Sequence, residues 1–524
     1  MMHVFTILLV AVVLAAERGV LPSVDGDSFS AGETILFAWG ALPIVLGAFL
    51  LMVRWGLAEM NRGRGHRWLG RIQQVGGLLP WVLLAHHAAA VLLFNWSGLI
   101  RTSLGVDIIA LTTVVATLPP LIGITGLWAI QYPVVRRVRQ ATLIRRLDQG
   151  LPIRELPTLR EYLVQQWRIH VLFLLVPVLL IISVGDVARY AFPNENASST
   201  GGWLRDGLWI GGTAGVFLFA PLLARYLLDC TSLPQGAIRT DLMRICQEHG
   251  VRIRDILLWH TNGGMINGAV MGLIGRLRYV LLTDALLESM GRTHIHAVMA
   301  HEIGHVRRHH MVWLIIVLLA CLGIPAILLE EAFWQLQLID PAWLPEWIQR
   351  LQMIGIGTAL ACAFLTFGWA CRRFERQADT FAVQHLSGMR TRSDDVPGAQ
   401  VVTADASFAM QSALEVVARL NDVNPHSKSW RHGSIRWRQA YLASIISQPI
   451  HRLAIDRVVR RLKIASAAVV VIMVAHTILV SGRYDREEAT MTEYLLVRHV
   501  EVCGSDAADA STAAKHTPSL HTPG

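Results

Sequence analysis

The sequence predicts a mainly α, polytopic helical membrane protein with an α+β domain interleaved with its later spans. Three observations carry that reading. Of 524 residues, 53% are hydrophobic and only 16% charged, whereas soluble globular chains carry about 25% charged residues. Apolar runs of membrane-spanning length recur along the chain, and arginine-rich loops alternate with arginine-poor ones. The six cysteines (Cys230, Cys246, Cys321, Cys362, Cys371 and Cys503) lie far apart with no C-x-x-C pair. That pattern excludes a disulfide framework and a cysteine zinc site.

About 20 apolar residues cross a hydrocarbon core of about 30 Å as a helix. Windows of that character run from Ile35 to Trp55, Val75 to Phe94, Ile108 to Tyr132, Val171 to Val184, Trp209 to Leu228, Met311 to Leu329, Met353 to Trp369 and Ile464 to Val480. Val4 to Ala16 is shorter and has no Lys or Arg before it; it is read as a first span, with a signal-peptide core as the alternative. The organisation expected is N-terminal spans over residues 1–228, a domain over 229–463 containing the spans near 311–329 and 353–369, and a last span over 464–481. A mostly disordered tail, 482–524, would follow, where apolar content falls and Ala, Ser, Thr and Pro accumulate.

Loop charge tests the parse independently, because Lys and Arg concentrate on the cytoplasmic side. The loop from Arg54 to Arg71 holds five arginines and that from Pro133 to His170 holds eight, while Asn95 to Asp107 and Gly185 to Leu208 hold one and two. The same alternation places the segment up to His310 inside, Glu330 to Arg350 outside, and Cys371 to Lys463 inside again. The net charge of +9 is thereby explained by membrane topology. Arginine loops without interleaved aromatics or a binding module give no reason to expect a nucleic-acid partner. His86 and His87, inside the second window, are read as neutral imidazoles packed between helices.

The inside-facing part contains His301-Glu302-Ile303-Gly304-His305, an H-E-x-x-H motif. On a helix its two histidines project from one face a turn apart and can share one metal ion, with the glutamate beside them as a base. Thr293 is the expected N-cap, and Ile295, Val298, Met299 and Val306 fall with the histidines on a buried side. A hydrolytic zinc site needs three protein ligands and an open position. His309 continues the helical face but lies a further turn along, about 6 Å from His305. Glu375, four residues before Asp379 and on the same helix face, is the other candidate; a solvated acidic face is the bland alternative for that pair. Two spans separate His305 from Glu375, an even number, so both segments return to one side of the membrane.

These residues resemble the integral-membrane zinc metallopeptidases that include the CaaX prenyl endopeptidase and the HtpX-type stress protease. The resemblance rests on Ala300-His301-Glu302-Ile303-Gly304-His305, Glu375-Arg376-Gln377-Ala378-Asp379, Leu281-Leu282-Thr283-Asp284-Ala285-Leu286-Leu287, and His432-Gly433-Ser434-Ile435 with Arg438. It covers roughly Thr231 to Lys463. It implies a zincin-like α+β domain at the cytoplasmic face and one zinc ion held by His301, His305 and Glu375. Glu302 would be the general base, Asp379 an outer support, Asn267 a residue of the substrate-aligning edge strand, and His432 a catalytic histidine near the reacting carbonyl. Gly268 and Gly433 depart from the alanine and proline usual there, and His294 and His296 stand where acidic residues are frequent.

Local composition agrees. Val251 to Trp259 and Arg278 to Leu282 read as strands, with Met265 to Gly272 a glycine-rich strand between them. An edge strand there would pair with an extended peptide. The function expected is zinc-dependent hydrolysis of peptide bonds in membrane-associated polypeptides, for quality control or maturation, at the cytoplasmic face of a multi-pass membrane protein. The alternatives are a catalytically inactive zinc-binding scaffold and, more weakly, a transporter, which would concentrate ionisable residues inside its spans.

Overall fold

The computed structural model describes residues 2–17, 29–63, 65–148, 155–193, 200–261, 265–339, 344–389 and 401–480. Helices dominate, as the apolar runs require, because a backbone in lipid must satisfy its own polar groups. In chain order they are α1 (Met2–Glu17), α2 (Ala31–Asn61), α3 (Gly65–Leu93), α4 (Trp96–Leu104), α5 (Ile109–Ala116), α6 (Leu118–Asp148), α7 (Leu159–Gln166), α8 (Phe173–Ala191), α9 (Thr200–Leu227), α10 (Ala237–Glu248), α11 (Asp284–Ser289), α12 (Arg292–Arg307), α13 (His310–Ile339), α14 (Leu344–Leu386), α15 (Ala404–Leu420) and α16 (Ile435–Ser444), then α17 (Ala454–Val480). Among the described residues eight helical segments are long and apolar enough to cross a membrane, and each overlaps one of the eight windows. The chain is an integral, multi-pass membrane protein. The expected tail, 482–524, lies outside the described residues.

Local chemistry sets the helix ends. Ser30 and Glu33 cap α2 reciprocally, each side chain accepting from the other's N–H. The window from Ile108 to Tyr132, expected as one helix, is interrupted at Thr117. The cause is Pro119 and Pro120, which have no N–H for the carbonyls of Val115 and Ala116. The Trp96 indole donates to the Ala116 carbonyl instead (2.9 Å), and the Thr117 N–H reaches Val115. At the other end of α5, Asp186 accepts from the N–H groups of Ile109 and Ala110 (3.3 and 2.8 Å), where a helix start favours negative charge.

The chain forms two units. The first comprises Met1–Arg307, Phe381–Ala399 and Thr403–Pro425. In its helical part Phe5 and Leu9 of α1 meet Phe49 of α2, Leu83 of α3 and Ile124 of α6 in one nearly solvent-free core. His86 donates to the Phe37 carbonyl (2.9 Å), and His87 is buried. Its α+β part is a four-stranded sheet of order β1-β2-β4-β3, with β1 (Cys230–Ser232), β2 (Asp255–Trp259), β3 (Gly268–Met271) and β4 (Tyr279–Thr283). β2 and β4 are parallel, while β1 and β3 are antiparallel edge strands. Every residue of β4 is buried, as a continuous apolar run in a central strand should be.

The second unit comprises Arg308–Thr380, Gln400–Val402 and His426–Gly524. Within it, helices α13, α14 and α17 line a cavity of about 610 Å³ whose walls include Ala320, Ala359 and Ala465. The same helices are tied by polar contacts. His310 Nε2 donates to Gln377 (2.9 Å), and Gln377 donates to Asp456 (2.6 Å).

Candidate metal centre

The H-E-x-x-H motif lies on α12, as its spacing requires. The first helical hydrogen bond runs from the Ile295 N–H to the Gly291 carbonyl (3.0 Å). The helix therefore starts before Thr293, and the cap expected of that residue falls to Gly291, which turns the chain straight out of Met290. The helix ends at Arg307, and His309 is an exposed residue at a left-handed φ of 55°. His309 thus leaves the helical face on which it was expected, and with it the case for a third histidine ligand.

One side of α12 is buried through Ile295, Ala297, Met299, Ala300 and Ile303, which holds His301 at 9% exposure. His301 Nε2 and His305 Nε2 stand 3.2 Å apart, their rings edge to face at 71°. Two imidazole nitrogens about 2.0–2.1 Å from one tetrahedral zinc are about 3.3 Å apart, so the pair already has the spacing of two ligands. Glu302 lies beside β3. A Cβ added to Gly268 would stand 2.9 Å from Val298 Cγ1 and 3.8 Å from Glu302 Cγ. Glycine replaces alanine here because Val298 fills the space the methyl would need. Gly304 serves a second close approach, since a Cβ there would come within 3.0 Å of Phe381.

The two departing histidines on α12 have local partners. His294 Nε2 meets Ser412 Oγ on α15 at 3.0 Å, and His296 Nε2 lies 3.3 Å from Asp241 on α10. Both anchor α12 to neighbouring helices. The Leu281 to Leu287 segment is a strand-to-helix turn. Thr283 Oγ1 caps α11 by accepting from the Leu286 N–H (3.3 Å) and also accepts from the Asn267 N–H (3.0 Å). Buried Asp284 accepts from the Thr261 hydroxyl (2.6 Å) and N–H (3.1 Å). Asn267 is exposed, and its carbonyl accepts from the Thr283 N–H (3.1 Å), so it extends the β3–β4 ladder by one residue.

The carboxylates sit on α14. Glu375 Oε2 lies 3.1 Å from His432 Nδ1 and 3.6 Å from Arg438 Nη1. Asp379 is fully buried and accepts two bonds from Arg438, from Nε at 2.7 Å and Nη2 at 2.5 Å. Such a bidentate pair fixes both planes. The loop that delivers Arg438 explains its own sequence: Gly433 takes φ 74°, which proline cannot adopt, and Ser434 then caps α16 by accepting from the Trp437 N–H (3.2 Å). Arg376 stacks on the Trp437 and Tyr441 rings, holding α16 along α14. Among the described residues one group of three His, Cys, Asp or Glu side chains has metal-ligand spacing: His301, His305 and Glu375, with ligand atoms within 4.8 Å of one another. The donor chemistry, two imidazoles and one carboxylate, fits zinc.

Residues 258–404 match the model of peptidase family M48. The similarity to that family is confined to this stretch, which is less than half of the chain. The matched stretch holds β3, β4, α12 and the Glu375 to Asp379 turns of α14, and stops before His432 and Arg438. A protease HtpX homolog from Aeropyrum pernix is 24% identical over 189 residues, 35% of this chain and 54% of that protein. The chain thus spans about half the length of that relative. The crystal structure of Ste24p from S. mikatae aligns over 84% of this chain and 98% of its own, with a TM-score of 0.40 and 14% identity.

Burial pushes the Cys230 and Cys246 thiols up to about 12 each, so neither is a thiolate at neutral pH. Two supporting roles escaped sequence reasoning, the double hydrogen bond of Thr283 and the grip of Arg438 on Asp379. Arg438 had a signal, an arginine one turn into a helix that follows the histidine motif.

Proposed function

We propose that the chain is a membrane-embedded zinc endopeptidase that hydrolyses peptide bonds of membrane-associated polypeptides, in quality control or maturation, with its site at the cytoplasmic face. The His301, His305 and Glu375 group carries the reading: three protein donors leave the fourth position open, as catalytic zinc sites do. M48 peptidases are zinc-dependent. The arginine-rich loops support the cytoplasmic assignment, and residues 229–463 form the catalytic part. The partners are a polypeptide substrate and lipid, with no nucleic acid.

Bound there, zinc supplies Lewis acidity, polarising the scissile carbonyl and making water a better nucleophile at neutral pH. Glu302 takes the proton of the attacking water and passes it to the leaving amine. His432 donates toward the carbonyl oxygen as negative charge gathers on it. Arg438, locked by Asp379, fixes the Glu375 carboxylate from its outer side. Asn267 helps align the substrate along β3, whose open edge lies next to Glu302.

A Glu302→Gln variant tests the mechanism in purified full-length protein. It should keep its zinc and lose about 10²–10⁴-fold in the rate of casein cleavage. Equal cleavage by variant and wild type would reject Glu302 as the base, and zinc without cleavage in the wild type would favour the inactive scaffold.

A further inference from the structure

β3 has two sides, and Asn267 identifies them. Its N–H and C=O both bond to Thr283, so Asn267 faces β4. In an antiparallel ladder the backbone groups of successive residues alternate sides. Ala269 and Met271 therefore face β4 too, and Ile266, Gly268 and Val270 present their N–H and C=O groups to the sheet's edge. At Ile266 that edge is taken. The Ile266 N–H donates to Asn421 Oδ1 (2.9 Å) and its C=O accepts from Asn421 Nδ2 (2.9 Å). Nδ2 also donates to the Val417 carbonyl (3.0 Å), which fixes which way the amide faces. A side-chain amide thus stands where the next strand's backbone would stand.

The geometry points to Asn421 as the positioning residue that sets substrate register: its amide ends the docking edge at Ile266, so an extended polypeptide pairs with Gly268 and Val270 and presents one fixed peptide bond beside Glu302. This rests on the endopeptidase reading and deepens it. The outward-facing Gly268 lies beside Glu302, with a Cβ there 3.8 Å from Glu302 Cγ, so a shift of register moves the bond being cut. Asn421 is itself referenced to the catalytic helix. It is the C-cap of α15, and α15 is tied to α12 through His294 and Ser412. A capping amide has a further merit over a bare strand, because it offers no continuing edge along which a peptide could slide. Without it the outward groups of Ile266 would join those of Gly268 and Val270, and pairing frames two residues apart would become near equivalent.

The test uses full-length protein in proteoliposomes with reduced casein as the probe, then a synthetic peptide of about 15 residues spanning one mapped cut site. Products are read by mass spectrometry. In Asn421→Ala, cleavage at the wild-type bond should fall at least fivefold, with new cuts displaced by two residues, while zinc content stays at the wild-type value and a lowered melting temperature reports only the lost hydrogen bonds. Asn421→Asp is nearly isosteric and keeps one acceptor; it should show the same displaced cuts in smaller yield, and it decides the matter if the alanine variant does not fold. An unchanged cut site in the folded variants, whatever their rate, overturns the role of Asn421. A wild type that binds no zinc or cuts nothing overturns the endopeptidase reading instead, so the two failures are distinguishable.

Discussion

The surroundings of α12 and the α13, α14 and α17 helices differ in how evenly they are packed. Around α12 one added carbon has no room: a Cβ on Gly304 would press on Phe381 and one on Gly268 on Val298. Among α13, α14 and α17 equally close approaches, where a Cβ on Gly323 would press on Met473 and one on Gly355 on Leu329, stand beside an open-sided cleft of about 610 Å³. The difference follows from what each region must hold. Metal-ligand distances have to be right within about 0.2 Å, and only close packing fixes side chains that well. A membrane helix needs apolar length and internally satisfied backbone groups, and lipid tails fill irregularities that water could not.

Substitutions break or sharpen this contrast. Replacing Arg438 by Met removes the bidentate partner of the fully buried Asp379 and should cost about 3–5 kcal/mol, read as a lowered melting temperature with loss of bound zinc. Gly304→Val forces two methyl groups toward the Phe381 ring; overpacking of this kind costs about 1–3 kcal/mol, and thermal unfolding should register it. Ala359→Leu, which likewise adds three carbons, grows into the cleft. Its stability should stay within about 1 kcal/mol of wild type, on the stabilising side. If the leucine variant is hurt as much as the valine one, the two regions are not packed differently.

How much of this was legible in the sequence follows the same division. Apolar length marks a span without tertiary information, so each of the eight windows overlaps a helix long enough to cross a membrane. Their ends were less visible: Pro119 and Pro120 were in plain sight, but the Trp96 indole that serves the orphaned Ala116 carbonyl comes from another helix. The H-E-x-x-H helix could be read from one turn of spacing. Its first residue could not, because Gly291 rather than Thr293 takes the cap position, and His309 looked like a continuation of the face only while the helix was assumed to run past Arg307. Asn421 had no signal at all. It lies 155 residues from Ile266, and an asparagine ending a helix is commonplace until the fold shows what its amide touches.

The most direct measurement is the zinc content of purified Glu375→Ala beside wild type, by elemental mass spectrometry, with circular dichroism to verify equal helicity. Near one zinc per wild-type chain and loss of most of it in the variant is the predicted result. A folded variant with full occupancy would mean the metal is held without that carboxylate, contradicting a site built from one turn of α12 and one residue of α14.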